Sequence, residues 1–135
     1  MASDRLRGNR DEKIVIIDSS AIMMLFEFSI NFEDELTRLL GKYTIIVPKP
    51  IFDELTLLSE KGKGKKKTLA KASLKLLERF EILEAEEKTG DESVLSLAKK
   101  LNGIVFTNDR ELRKKAKKLS LNAIFLREKS KLVLE

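Results

Sequence analysis

The chain has 135 residues, with 27 Lys+Arg against 22 Asp+Glu for a formal net charge of +5, and it contains neither histidine nor cysteine. That length suits one domain, in which roughly two-thirds of the unfolded surface can be buried. Disulfides, thiolate metal sites and imidazole chemistry are excluded, so any acid–base or metal chemistry falls to Asp, Glu, Lys, the single Tyr43 or bound water.

Residues 1–13 read as a polar N-terminal leader and residues 14–135 as a single domain. No apolar run approaches the ~20 residues of a membrane span, and the charged N-terminus does not read as a secretory signal, so the expectation is a cytoplasmic protein with no membrane partner. The positive balance favours a polyanionic partner such as nucleic acid. A charged content of 36% without tryptophan hints at a heat-adapted source.

The first strand is Ile14 to Ile17, a continuous apolar run of the kind buried on both faces of a sheet. Ser20 to Phe28 is helix-compatible, and Asn31 can cap a second helix, Phe32 to Leu40, that Gly41 terminates. Tyr43 to Val47 is a second strand. Pro50 suits the first turn of a helix running to Ser59, where its missing N–H has no partner to lose. Lys61 to Lys67, with Gly62 and Gly64 interspersed, reads as a flexible basic connector before a helix from about residue 68 to 79. A short strand, Phe80 to Leu83, precedes a helix from Asp91 to Leu101 that ends at Asn102-Gly103. Then come a strand from Ile104 to Thr107, a helix from Arg110 to Leu119, a strand from Ala123 to Leu126, and a basic tail. This alternation predicts βαβ units, hence an α/β fold of three layers, α/β/α, around a mostly parallel sheet.

Four acids stand out against that frame. Asp18 and Asp109 fall just past the carboxyl ends of strands, the edge at which open α/β sheets bind ligands. At about 100° per residue, Glu54 projects within roughly 60° of the apolar stripe of its helix, and Asp91 and Asp109 project onto the inward sides of theirs. Carboxylates crowded together repel unless a cation neutralises them, and Mg²⁺ or Mn²⁺ is commonly held by such oxygen donors. The alternative for Asp91 and Asp109, each beside a helix start, is simple capping. Glu54 could pair with a surface lysine. Asp18 has less structural excuse, because a charge ending a buried strand needs a partner. A phosphatase-type nucleophilic aspartate is disfavoured by Ser20 two positions on, and no glycine-rich phosphate loop follows the first strand.

With Ile17-Asp18-Ser19-Ser20, Pro48 to Glu54, Gly90-Asp91-Glu92-Ser93 and Thr107-Asn108-Asp109-Arg110, the chain resembles the PIN domain, a family of metal-dependent nucleases, over about residues 14–126. The resemblance implies that Asp18, Glu54, Asp91 and Asp109 are catalytic ligands of one or two Mg²⁺ or Mn²⁺ ions, with Ser20 and Thr107 in support. It implies an endoribonuclease acting in ribosomal RNA processing, the branch that the C-terminal tail looks more like. The alternatives are a non-catalytic RNA-binding ribosome-assembly factor and a VapC-type toxin of a toxin–antitoxin pair. A homodimer, and an antitoxin or ribosome-assembly partner, are further implications. For RNA contact, the basic segment offers Lys61, Lys63, Lys65, Lys66 and Lys67, and the last long helix offers Arg110 and Arg113, although charge runs on helices are usually solvated faces.

Overall fold

The expected first strand forms as β1 (Lys13–Ile17), and its residues Ile14, Val15, Ile16 and Ile17 are all buried. Alternate side chains of a strand point to opposite faces, so burial of all four requires cover on both sides of the sheet. In this computed structural model, which describes residues 12–135, that cover comes from helices. Most of the leader expected at residues 1–13 lies outside the described residues. In chain order the remaining elements are α1 (Ser19–Glu27), α2 (Phe32–Leu40), β2 (Tyr43–Pro48), α3 (Lys49–Lys61), α4 (Gly64–Leu77), β3 (Glu81–Leu83), α5 (Gly90–Leu101), β4 (Ile104–Phe106), α6 (Arg110–Lys118), β5 (Ala123–Arg127) and β6 (Lys131–Leu134).

The strands lie in the order β3-β2-β1-β4-β5-β6, the first five parallel and β6 antiparallel to β5. From β1 the chain builds outward to β2 and β3 on one side, then returns to build β4, β5 and β6 on the other. The direction therefore reverses between β1 and β4, and such a switch point leaves a crevice at the carboxyl ends of the two strands. Ile17 pairs with Phe106 there, and the Asp18 N–H donates to the Phe106 carbonyl at 3.1 Å. Beneath it lie Ile16, Ile46, Leu55, Phe106, Leu112 and Ile124, all fully buried. Each such side chain stabilises the fold by about 1.5–3 kcal/mol relative to exposure, which makes the floor of the crevice rigid.

Two elements depart from the sequence reading. The flexible basic connector is a helix for much of its length: Lys65, Lys66 and Lys67 form the first turn of α4, and only Gly62 and Lys63 separate it from α3. Lysine is a good helix former, and Gly64 opens the helix at φ +60°, a conformation open to glycine. The basic tail, for its part, folds back as β6 and adds a strand to the sheet. On the outer side of β6, away from β5, the Leu132 N–H donates to Glu35 Oε1 at 2.8 Å, and Arg38 Nη2 donates to the Leu132 carbonyl at 2.8 Å. Glu35 and Arg38 also pair with each other at 3.1 Å, so an ion pair from α2 occupies the place of a neighbouring strand. The guanidinium and these bonds hold the Glu35 carboxyl below its ordinary range.

Candidate active site

Asp18 stands at the switch point and caps α1. Its Oδ1 accepts from the Ala21 N–H at 3.0 Å and from the Ser20 hydroxyl at 2.8 Å; its Oδ2 accepts from the Thr107 hydroxyl at 2.7 Å. Only 4% of the residue is exposed. Desolvation penalises the charged form more than the three hydrogen bonds favour it, and the negative charge of Asp91 adds to the effect, so the carboxyl is pushed up to about 6. The two hydroxyls are themselves held from behind. Ser20 Oγ accepts the Asn108 N–H at 3.1 Å and Thr107 Oγ1 accepts the Asp109 N–H at 3.0 Å. Each hydroxyl thus spends its proton on Asp18 and its lone pair on the turn that leads from β4 into α6.

Glu54 approaches from α3. Its Oε1 accepts from the Ser19 hydroxyl at 3.1 Å, and its other oxygen rests against Gly90, where a Cβ would collide with it and would stand 2.8 Å from Ile51 Cδ1. Asp91 lies in the first turn of α5, whose cap is Thr89, through its hydroxyl to the Glu92 N–H at 3.3 Å. Capping is therefore not the role of Asp91. Its carboxylate faces Lys115 of α6, with Oδ2 and Nζ 4.0 Å apart. Asp109 does cap: its Oδ1 accepts from the N–H groups of Glu111 at 2.8 Å and Leu112 at 3.4 Å.

The fold thus brings the four acids to one end of the sheet by different routes. Asp18 and Asp91 feel each other's charge, Glu54 touches the chain neighbour of each, and Asp109 is tied to Asp18 through Thr107. Helical projection assigns Glu54 and Asp109 to inward faces, but both are exposed. Projection gives the direction of a side chain around its helix axis and not its height along it, and at this rim a side chain on the inward bearing meets solvent. Among the described residues no three acidic side chains are gathered closely enough to form a metal-holding group. The donor chemistry nevertheless fits a hard divalent cation: all-oxygen ligands around one buried carboxylate whose charge lacks a counter-ion of its own, with the other three set on solvent-accessible side chains. Ser19 and Gly90 are partners that sequence reasoning missed, though each adjoins one of the acids in the chain.

Gly90→Ala tests how tightly Glu54 is seated. The atoms in the way are the ends of flexible side chains, so the expected result is a displaced carboxylate in a folded protein: a melting temperature within a few degrees of the parent, with the activity of the site reduced about tenfold or more. Parental activity in the alanine variant would show that the position of Glu54 is immaterial.

The basic residues divide. Lys61, Lys63, Lys65 and Lys66 are exposed, and Lys65 pairs with Glu27 at 3.3 Å. Lys65, Lys66 and Lys67 occupy a first turn that holds no acidic residue and whose cap, Lys63, makes no side-chain bond. Positive charge is unfavourable there because the helix dipole already presents its positive end. Arg110 is exposed, whereas Arg113 is committed, stacked 3.9 Å from the ring centre of Phe125 and 4.0 Å from Glu135.

The sequence profile described as PIN like domain matches residues 15–129. Over 135 residues the chain is 32% identical to a protein of Archaeoglobus fulgidus named Ribonuclease VapC9, covering 100% of this chain and 98% of that one. Over 119 residues it is 31% identical to Ribonuclease VapC4 of Methanocaldococcus jannaschii, covering 85% and 91%. Among solved structures, that of the PIN domain endonuclease Utp24 superposes with a TM-score of 0.73 at 22% identity over 90% of both chains. A domain of a functionally unknown protein from Methanocaldococcus jannaschii superposes with a TM-score of 0.62 at 21% identity, covering 85% of this chain and 91% of that one. At those identities the superpositions speak for the fold alone.

Proposed function

The chain belongs to the PIN like domain family, and from that premise we propose that it is an endoribonuclease that hydrolyses RNA phosphodiester bonds with the help of a divalent cation. The observation that carries this reading is the buried Asp18 carboxylate at the switch point, hydrogen-bonded by Ser20 and Thr107 and raised by burial and by Asp91. A carboxylate so placed, with three further acids at the same rim, suits one or two Mg²⁺ or Mn²⁺ ions better than it suits stability.

Asp18, Asp91, Asp109 and Glu54 would supply the oxygens that hold the ion. A divalent ion held there would lower the pKa of a bound water and neutralise charge on the scissile phosphate. The chain's own part is positional. Ser20 and Thr107 donate to Asp18, which fixes its plane and leaves one acceptor site, on Oδ2, without a hydrogen bond. Ser19 and Gly90 hold Glu54 against the same opening. The first turn of α4, with Lys65, Lys66 and Lys67, is the surface we assign to the RNA backbone. Phosphates there would relieve the unfavourable clash of lysine charge with the helix dipole. Lys61 and Lys63 extend that surface; Arg110, exposed at the start of α6, is a separate basic contact, and Arg113 contributes less because Phe125 and Glu135 engage it.

Two relatives named as VapC ribonucleases favour a toxin restrained by an antitoxin over a role in ribosomal RNA processing, since kinship to the Utp24 structure rests on the fold. A homodimer belongs to the same proposal and light scattering decides it. Among the described residues no helix is long and apolar enough to cross a membrane. The cytoplasm, where RNA is met, is the compartment the proposal implies.

The direct test incubates end-labelled RNA with the protein as purified, after chelation, and after adding back Mn²⁺ or Mg²⁺. Cleavage is expected to vanish on chelation and to return with either ion. RNA retarded in a gel without being cut, under every metal condition, would favour the binding-only assembly factor instead.

A further inference from the structure

Among the described residues one ion pair joins a basic side chain to a member of the acidic set, and it is Lys115 with Asp91. The remaining pairs of the C-terminal region are local to α6, Lys114 with Glu111, or engage the chain terminus, Arg113 with Glu135. Lys115 lies beside the buried stripe of α6, next in the chain to Ala116 and one turn from Leu112, so its stem starts at the α5-facing border and not on the outer face. Its ammonium reaches a carboxylate whose charge acts on Asp18. With side-chain exposures of 57% for Lys115 and 43% for Asp91, neither partner is locked in place by burial. A pair of this kind is weak and exchangeable.

We propose that Lys115 is the resident counter-ion of Asp91, displaced when the divalent cation binds and then free to present its ammonium to a phosphate of the RNA. This rests on the metal-dependent reading above and adds a residue to it. A lysine suits exchange because its charge is a compact point on a flexible stem, where an arginine fork would hold the carboxylate in two places. The device has a thermodynamic consequence. Whatever the cation loses in affinity by evicting Lys115, the ammonium gains in availability to substrate, because coupling between two binding events is reciprocal. Metal and RNA would then load in favour of one another, through one side chain that contacts first a carboxylate and later a phosphate.

The experiment titrates Mn²⁺ into the full chain without RNA, reading free Mn²⁺ by electron paramagnetic resonance, for the parent, Lys115→Met, Lys117→Met and Asp91→Asn. Methionine keeps most of the stem and removes the charge. Lys115→Met is expected to bind Mn²⁺ about three- to tenfold more tightly, as befits removal of one like charge at partly screened range, with the gain shrinking as salt is raised. Lys117→Met is expected to match the parent and Asp91→Asn to bind more weakly. At saturating Mn²⁺, Lys115→Met should raise KM for RNA severalfold with a smaller change in kcat. Unchanged or weaker Mn²⁺ binding by Lys115→Met, with Asp91→Asn still impaired, overturns the counter-ion role and leaves the nuclease reading standing. A fall in kcat at constant KM overturns the substrate half. Mn²⁺ binding that is the same in Asp91→Asn as in the parent overturns the metal site itself.

Discussion

Asp18→Asn is expected to abolish RNA cleavage, by about 10²-fold or more, and at the same time to make the metal-free protein more stable at neutral pH. The two effects have one cause. The folded carboxyl is pushed up to about 6 from an ordinary value of 3.8, so the folded state binds its proton more tightly than the unfolded chain does. Below both values the burial carries no penalty. As pH rises from about 4 to 6 the unfolded chain releases this proton while the folded state keeps it, and stability falls by about 1.36 kcal/mol for each pH unit crossed between the two values, hence by up to ~3 kcal/mol above pH 6. An amide of the same shape carries no such charge and can still accept from the Ala21 N–H. Thermal melts at pH 7.5 in the presence of a chelator should therefore place the variant several degrees above the parent, with the gap closing towards pH 4. Adding Mn²⁺ should reverse the order, because an ion that binds only the native parent stabilises it by mass action. An asparagine variant that melts below the parent at pH 7.5 and cuts RNA as well would remove Asp18 from the site.

Thr107→Val is the second change with a large consequence. Thr107 is fully buried, and its hydroxyl alone stands between Asp18 Oδ2 and the Asp109 N–H. Valine has the same shape without the oxygen, so it leaves a buried acceptor and a backbone donor unmet together. The loss is expected to be about 2–4 kcal/mol in chemical denaturation, with cleavage down tenfold to a hundredfold. Asp18 loses a hydrogen bond that favours its charged form, so the acid limb of the activity profile should move to higher pH. Thr107→Ser restores the hydroxyl and should recover most of the activity. If valine instead matches the parent in stability and in cleavage, the polar relay is not what holds the site.

Much of the fold is legible in residue order because its signals are local. Ile14 to Ile17, Asn31 with Gly41, Pro50, and Asn102-Gly103 mark strand, caps and helix ends by their own stereochemistry, and the structure places those boundaries within one or two residues. The first turn of α4 is hidden because Gly62 and Gly64 read as a loop, while packing of α4 on α3 and α1 orders Lys65, Lys66 and Lys67. β6 is hidden for a different reason: Lys131 to Leu134 becomes a strand only by pairing with β5 and lying against α2, contacts that no short window can show. At the site, residue order shows Asp18, Asp91 and Asp109 at strand ends or helix starts and gives Glu54 only a bearing around its helix. Their solvent exposure cannot be read there, since it depends on how high each helix stands above the sheet. The partnerships of Ser19 with Glu54 and of Lys115 with Asp91 join residues far apart in the chain and exist only once the sheet has closed its order.

The ion pair that Glu35 and Arg38 lay along the outer side of Leu132 has a bearing on how this protein keeps company. A second polypeptide could lengthen the sheet beside β6 only by evicting both side chains from the backbone groups they occupy. Recruitment by strand addition is thereby closed on that flank, and fibrous growth from it is closed as well. On that flank, association is left to side chains, where it is adjustable by salt and by the identity of the partner.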